Sequence, residues 1–183
     1  MTTRRLWMPM LVAVLVGLLG AVILIGPLGA HGDAAAVQPR ATVTRTVTLP
    51  AAAFSPRDND TDYYNNSAVL YTHSGQGDFI APLFFEAPEV RIKKIVLYAY
   101  DGGVSDVCVK LLRYPPDMGD GDLMGQVCSS GSAYGARPFT QTSLTYRRIT
   151  GAYGPALWLS LPGDHADYVF YSVRIVYSYE TGV

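Results

Sequence analysis

Apolar and polar positions alternate along most of this chain with a period of two, and one long apolar block precedes them. The block, Leu6 to Ala30, contains no charged residue and includes the run LVAVLVGLLGAVILI from Leu11 to Ile25. It predicts a hydrophobic helix, because about 20 apolar residues span the hydrocarbon layer of a bilayer. After residue 41 no helical period recurs. Short runs rich in β-branched and aromatic residues, separated by turn formers, predict strands. The first is Thr42 to Leu49, ended by Pro50, followed by a polar loop from Phe54 to Ser67. Ala68 to Thr72 and Phe79 to Phe85 bracket a turn at His73 to Asp78, and later runs are Phe139 to Ile149, Ala156 to Leu161 and Tyr168 to Tyr179. The last has the most regular alternation, with Val169, Tyr171, Val173, Ile175, Tyr177 and Tyr179 on one side.

The centre of the pattern is Arg91 to Cys128, which reads as a three-stranded meander. Pairing Cys108 with Cys128 centres a hairpin on Met118, inside the loop Pro-Pro-Asp-Met-Gly-Asp-Gly-Asp. That register sets Val109 opposite Val127, Leu111 opposite Gly125 and Arg113 opposite Leu123. It predicts one apolar face of Val107, Val109, Leu111, Leu123 and Val127, with the cysteines on the more polar face. The turn Asp101-Gly102-Gly103-Val104 predicts a further hairpin, because paired glycines tolerate positive backbone angles. Val96, Tyr98 and Tyr100 then share the face of Val107 and Val109, with Ile95, Leu97 and Ala99 opposite. About nine strands in roughly 140 residues predict a single antiparallel β-sandwich of jelly-roll type, all-β apart from the leading helix. The expected organisation is 1–30 as signal peptide or transmembrane anchor, 31–41 as linker and 42–183 as the sandwich.

Charge and cysteine usage narrow the setting. Lys and Arg number 14 against 15 Asp and Glu, and without Arg4, Arg5 and Asp33 the balance is 12 to 14. A nucleic-acid binder needs a basic excess to displace counterions, so that class is set aside. Arg4 and Arg5 before the apolar block keep the N-terminus inside and send the rest of the chain across the membrane. Cleavage near Ala34-Ala35-Ala36 would release the domain, whereas an uncleaved block, residues 6–30, would tether it. Two cysteines in an oxidising compartment point to a disulfide, Cys108 with Cys128.

Catalytic signatures are missing from the sequence: there is no G-x-S-x-G elbow and no HExxH. His31, His73 and His165 fall in the linker and in turns. Asp58, Asp60 and Asp62 have the spacing of the first ligands of a calcium loop, but Tyr63 and Val69 stand where an EF-hand needs glycine and glutamate. They are a weak calcium candidate, and no cofactor is expected. All 13 tyrosines follow residue 62. Tyr100, Tyr134 and Trp158 are the aromatics left over from the core pattern, as contact residues or sugar-stacking residues.

The segments IKKIVLYAYDGGVSDVCVKLLRY, LMGQVCSSG, RPFTQTSLTYRRI, ALWLSLPG and YSVRIVY resemble an uncharacterised secreted β-sandwich domain of bacteria that ends in a VRIxY strand. The resemblance covers about residues 42–179 and implies an exported sandwich, with the cysteine pair as an addition to its pattern. The leader, the near-neutral charge, the absence of a catalytic constellation and the run Ile92 to Tyr100, apolar on both sides, set the expectation of a non-enzymatic, extracytoplasmic domain acting through contacts with a protein partner or with its own copies. It would serve as a surface-assembly component or an accessory subunit of a membrane complex. The alternative is a lectin-like module that binds carbohydrate.

Overall fold

In the computed structural model residues 40–117, 119–131, 133–163 and 167–182 are described. The apolar block, nearly all of the linker, Met118, His31 and His165 lie outside them. Within them the alternating runs form β1 (Ala41–Pro50), β2 (Ser55–Pro56), β3 (Tyr63–Asn65), β4 (Leu70–Thr72), β5 (Gly77–Pro82) and β6 (Val90–Asp101). The second half forms β7 (Cys108–Tyr114), β8 (Asp122–Cys128), β9 (Ala133–Gln141), β10 (Arg148–Ile149), β11 (Gly154–Leu161) and β12 (Tyr168–Thr181). A short 3-10 turn covers Ala51–Ala53. All pairings are antiparallel, and they build two sheets. One has five strands in the order β2-β5-β11-β7-β8. The other has seven, with β6 and β12 at its centre, β9 and β10 along the outer side of β6, and β1 and β4 along the outer side of β12. The domain is thus an all-β, two-sheet antiparallel sandwich.

The core lies between the sheets. Ile92, Ile95, Leu97 and Ala99 of β6 and Phe170, Val173 and Ile175 of β12 meet Val109 and Leu111 of β7 and Leu157, Leu159 and Leu161 of β11, all buried. Each such side chain contributes roughly 1.5–3 kcal/mol by leaving water. Phe54, expected in a polar loop, is buried edge-on against Phe170, with ring centroids 4.8 Å apart.

The expected meander is corrected by this arrangement. β7 and β8 do form a hairpin, but β6 belongs to the other sheet, where β12 and β9 occupy both of its edges. A strand with two partners has no free edge to offer β7. Asp101-Gly102-Gly103 is therefore a crossing between sheets. The Gly102 amide donates to the Asp167 carbonyl at 2.7 Å, and the Ser105 amide donates to the Tyr168 hydroxyl at 2.9 Å. A side chain at Gly103 would collide with that hydroxyl. Strands facing each other across a core, unlike neighbours in one sheet, need not share a face. Ile95, Leu97 and Ala99 point inward with Val107 and Val109, and Tyr98 and Tyr100 point outward.

Two local corrections have the same kind of cause, one extra residue on one strand. Leu111 faces Gly125 as expected, but Met124 is extra on β8, so Leu123 faces Leu112 and Arg113 faces Asp122. Met124 is fully buried and Leu123 is 42% exposed. Tyr171 is extra on β12, so the buried face runs Tyr168, Phe170, then Val173, Ile175 and Tyr177. Such bulges re-aim every residue beyond them. Finally, the Thr-rich run expected as a strand from Phe139 to Ile149 is split. β9 begins earlier, at Ala133, and residues 142–147 leave the sheet before β10.

Cys108 and Cys128 are directly opposite and joined by a disulfide, closing a loop with a sequence separation of 20. Replacing both by serine is expected to lower the unfolding free energy by about 3 kcal/mol, the chain-entropy value for such a loop, read as a lower urea midpoint. A second expectation concerns Tyr177, 5% exposed and packed edge-on against Phe85 at 4.7 Å. Burial first, then the Glu86 carboxylate, raises its phenol above the usual tyrosine value. Below about pH 10 the phenol is neutral folded or unfolded, and its contribution is complete. Above that the unfolded chain ionises first, so stability falls as pH climbs through the raised value. Urea unfolding followed from about pH 8 to about pH 11 should show a shallower loss for Tyr177→Phe.

Candidate functional site

The outer face of the five-stranded sheet is built by the positions that alternate with its core residues. Ile80 of β5 faces Trp158 of β11, which faces Lys110 of β7, which faces Gln126 of β8. On one side of this row lie Asp78, Ser160, Cys108 and Cys128, and on the other Pro82, Ala156, Leu112 and Leu123. Trp158 is half-buried at the middle of the face. The Arg57 guanidinium lies 3.9 Å from its ring centroid and the Lys110 ammonium 5.2 Å. Cations over an indole are held by the ring's negative face, so both donor groups are fixed beside the aromatic surface. Gln76 Nε2 donates to Ser160 Oγ at 2.9 Å on the polar flank.

The apolar flank opens into a trough of about 470 Å³ lined by Ile80, Pro82, Phe84, Tyr153, Pro155 and Ala156. Phe84 is 79% exposed. Because Ile80 and Ala156 neighbour Trp158 on the same face, trough and indole form one surface. At ~3.3 Å per residue the four steps from Trp158 to Gly154 span about 13 Å. Tyr153 is positioned by Arg113, whose guanidinium carbon lies 4.5 Å from its ring centroid and 4.2 Å from that of Tyr146. Arg113 also pairs with Asp122 at 3.0 Å and donates from Nη1 to the Arg148 carbonyl at 3.3 Å.

The residues singled out from sequence are not brought together. Trp158 is at the centre of this face. Tyr100 is half-buried on the other sheet, where its hydroxyl would meet any side chain placed at Gly102. Tyr134 falls within β9, and its side chain is outside the described residues. Asp58, Asp60 and Asp62 are exposed, and among the described residues no three His, Cys, Asp or Glu side chains are grouped to hold a metal ion. Phe84 and Tyr153 were missed: Phe84 fell inside the strand expected from Phe79 to Phe85, whereas β5 ends at Pro82, and Tyr153 lies just before β11, where alternation assigns no face. A separate aromatic group on β3 and β4 was also missed: Tyr64 stacks on Tyr71 at 5.0 Å, using one ring face on the other.

No family model and no curated protein matches the chain. Solved structures are similar to it at TM-scores below 0.5. The C-terminal CBM6 module of LamC, a marine laminarinase from Zobellia galactanivorans, is 12% identical over 72% of this chain and 98% of that one, at a TM-score of 0.45. A carbohydrate-binding module CBM36, solved with calcium and xylotriose, is 10% identical over 74% of this chain and 99% of that one, at 0.39. The CBM22-1 and GH10 modules of endo-1,4-β-D-xylanase 10B from Clostridium thermocellum, solved with xylohexaose, match at 11% identity and a TM-score of 0.41, over 76% of this chain and 28% of that one.

Arg113 is expected to be the residue on which the far end of the trough depends. Arg113→Ala should lower stability by about 1–3 kcal/mol, since it leaves Asp122 unpaired and two rings uncovered. Arg113→Lys should recover only part of it, because a lysine has no planar fork to stack and pair at once. Thermal unfolding of the two variants checks both statements.

Proposed function

We propose that this chain is an exported, non-catalytic domain of jelly-roll connectivity that binds a carbohydrate chain along the outer face of the five-stranded sheet. One observation carries the reading: an apolar trough with Phe84 and Tyr153 in its lining lies beside Trp158 on one sheet face, with cationic groups held at the indole. Sugars present apolar C–H faces and a fringe of hydroxyls. A site for them therefore needs flat aromatic area with hydrogen-bonding groups at its margin. Here Arg57, Lys110, Gln76, Ser160 and Asp78 supply that margin, and a length of about 13 Å suits a short oligosaccharide better than a single ring.

Export is supported by the leading apolar block with Arg4 and Arg5 before it, and by the disulfide, a bond that oxidising compartments preserve. A protein-contact role drew its sequence support from β6 being apolar on both sides. That strand is central in its sheet, its inner face is core, and Val96 on its outer face is only 6% exposed. The trough is the better-founded surface.

The test is binding of the full-length chain to an array of neutral and acidic glycans, with and without a chelator. Binding to a neutral oligosaccharide is expected. Trp158→Ala should weaken it about tenfold to a hundredfold, the range for losing one buried aromatic contact. Binding abolished by the chelator would bring Asp58, Asp60 and Asp62 into the site. No glycan bound in either condition, or full affinity in Trp158→Ala, would overturn the proposal.

A further inference from the structure

A second surface lies on the other sheet, where β1 begins, β12 ends and β6 begins. A groove of about 690 Å³ there is lined by the cations Arg40, Arg91, Lys93, Arg147 and Arg148, with Glu89 and Glu180 as its carboxylates. Arg148 pairs with Glu89 at 2.7 Å and Arg40 with Glu180 at 3.4 Å. Arg91, Lys93 and Arg147 have no ion pair among the described residues. The groove is thus strongly cationic in a chain whose formal net charge is −1.

The placement of these charges works against the fold's own stability. Arg91 and Arg148 are direct cross-strand partners, and like charges directly opposite each other are destabilising. Lys93 is the extra residue of a bulge on β6, which turns it outward beside Arg91 while Val90 and Ile92 stay buried. Arg147 is held in place by donating from Nη2 to the Thr142 carbonyl at 2.9 Å. Three cations that carry no ion pair among the described residues and sit together in one groove are suited to an external anion.

We infer that this groove binds an acidic polysaccharide, through the carboxylate or sulfate groups spaced along it. Guanidinium groups pair with such oxyanions through two parallel hydrogen bonds. The groove crosses from β1 over β12 and β6 to β10, three inter-strand gaps or about 14 Å, so it follows a chain past several charges. Its concavity separates a polymer from a bilayer: a flat layer of headgroups rests on protruding side chains, whereas a single chain enters a groove. This site is independent of the trough around Trp158.

The experiment measures binding of the full-length chain to polygalacturonate, to heparin as a sulfated polymer, and to anionic phospholipid vesicles, each at low and at physiological salt. At least one of the two polymers should bind, more weakly as salt rises. The variant Arg91→Ser, Lys93→Ser, Arg147→Ser should lose about tenfold in that affinity, the sum expected of three exposed charge pairs. Its binding to neutral glycans should stay unchanged and its unfolding midpoint should not fall, since all three side chains are exposed and loss of Arg91 relieves its opposition to Arg148. Arg137→Ser, a charge change on β9, should have no effect. Undiminished polymer binding by the triple variant, or binding to vesicles but to neither polymer, would overturn the inference. A failure of neutral-glycan binding would leave it standing.

Discussion

Everything in this domain depends on the burial of one face of β6 and β12 against one face of β7 and β11. Ile95, Leu97, Phe170, Val173, Leu111, Leu157 and Leu159 lose contact with water only if these four strands form two opposed layers. This places β6 and β7, consecutive in the chain, on opposite sides of the core. The link between them must cross from sheet to sheet within a few residues, over the hydroxyl of Tyr168. Glycine at 103 leaves room for the buried Tyr168 ring, and glycine at 102 for the Tyr100 hydroxyl.

Committing one face of each strand to the core leaves the alternate face for other work, and the two outer faces differ in character. The five-stranded sheet has Trp158 at its centre and an apolar trough to one side, bounded by Phe84 and by Tyr153, which stacks against Arg113. The disulfide sits on this same face, so the β7–β8 hairpin that carries Lys110 is held in one register. The seven-stranded sheet instead concentrates exposed cations at one end, where direct opposition of Arg91 and Arg148 costs stability. Strand pairing sets the positions of Trp158, Lys110, Arg91 and Arg148, while Arg57, Phe84, Tyr153 and Arg147 come from the connections beside them.

Much of the local order was legible in the chain. The hairpin register from Cys108–Cys128 through Leu111–Gly125 follows from the cysteine spacing and the position of the turn formers, and the structure has it. Beyond Gly125 the register shifts, because Met124 fills a core position that strict alternation assigns to Leu123. Tyr171 interrupts β12 in the same way. A bulge leaves no mark in an alternating pattern, since it is chosen by how two strands fit. Of the candidate site, Trp158 was identifiable as an aromatic off the core face of β11. Arg57 and Phe84 come to it from distant segments and Tyr153 from the turn just before β11, and nothing near them in the chain announces it.

Period-two alternation, turn formers and the cysteine pair were enough, by themselves, to establish an all-β antiparallel domain and the core of one hairpin. They also identified Ile95 and Leu97 as apolar positions, but the face expected for them, away from Val107 and Val109, is not the one they take. That choice was made by the tertiary structure, together with sheet membership, the bulges and the two outer surfaces. The reason is physical: alternation records that a strand has two unlike faces, whereas the partner that covers each face is decided by competition among distant strands for the same edges and the same core.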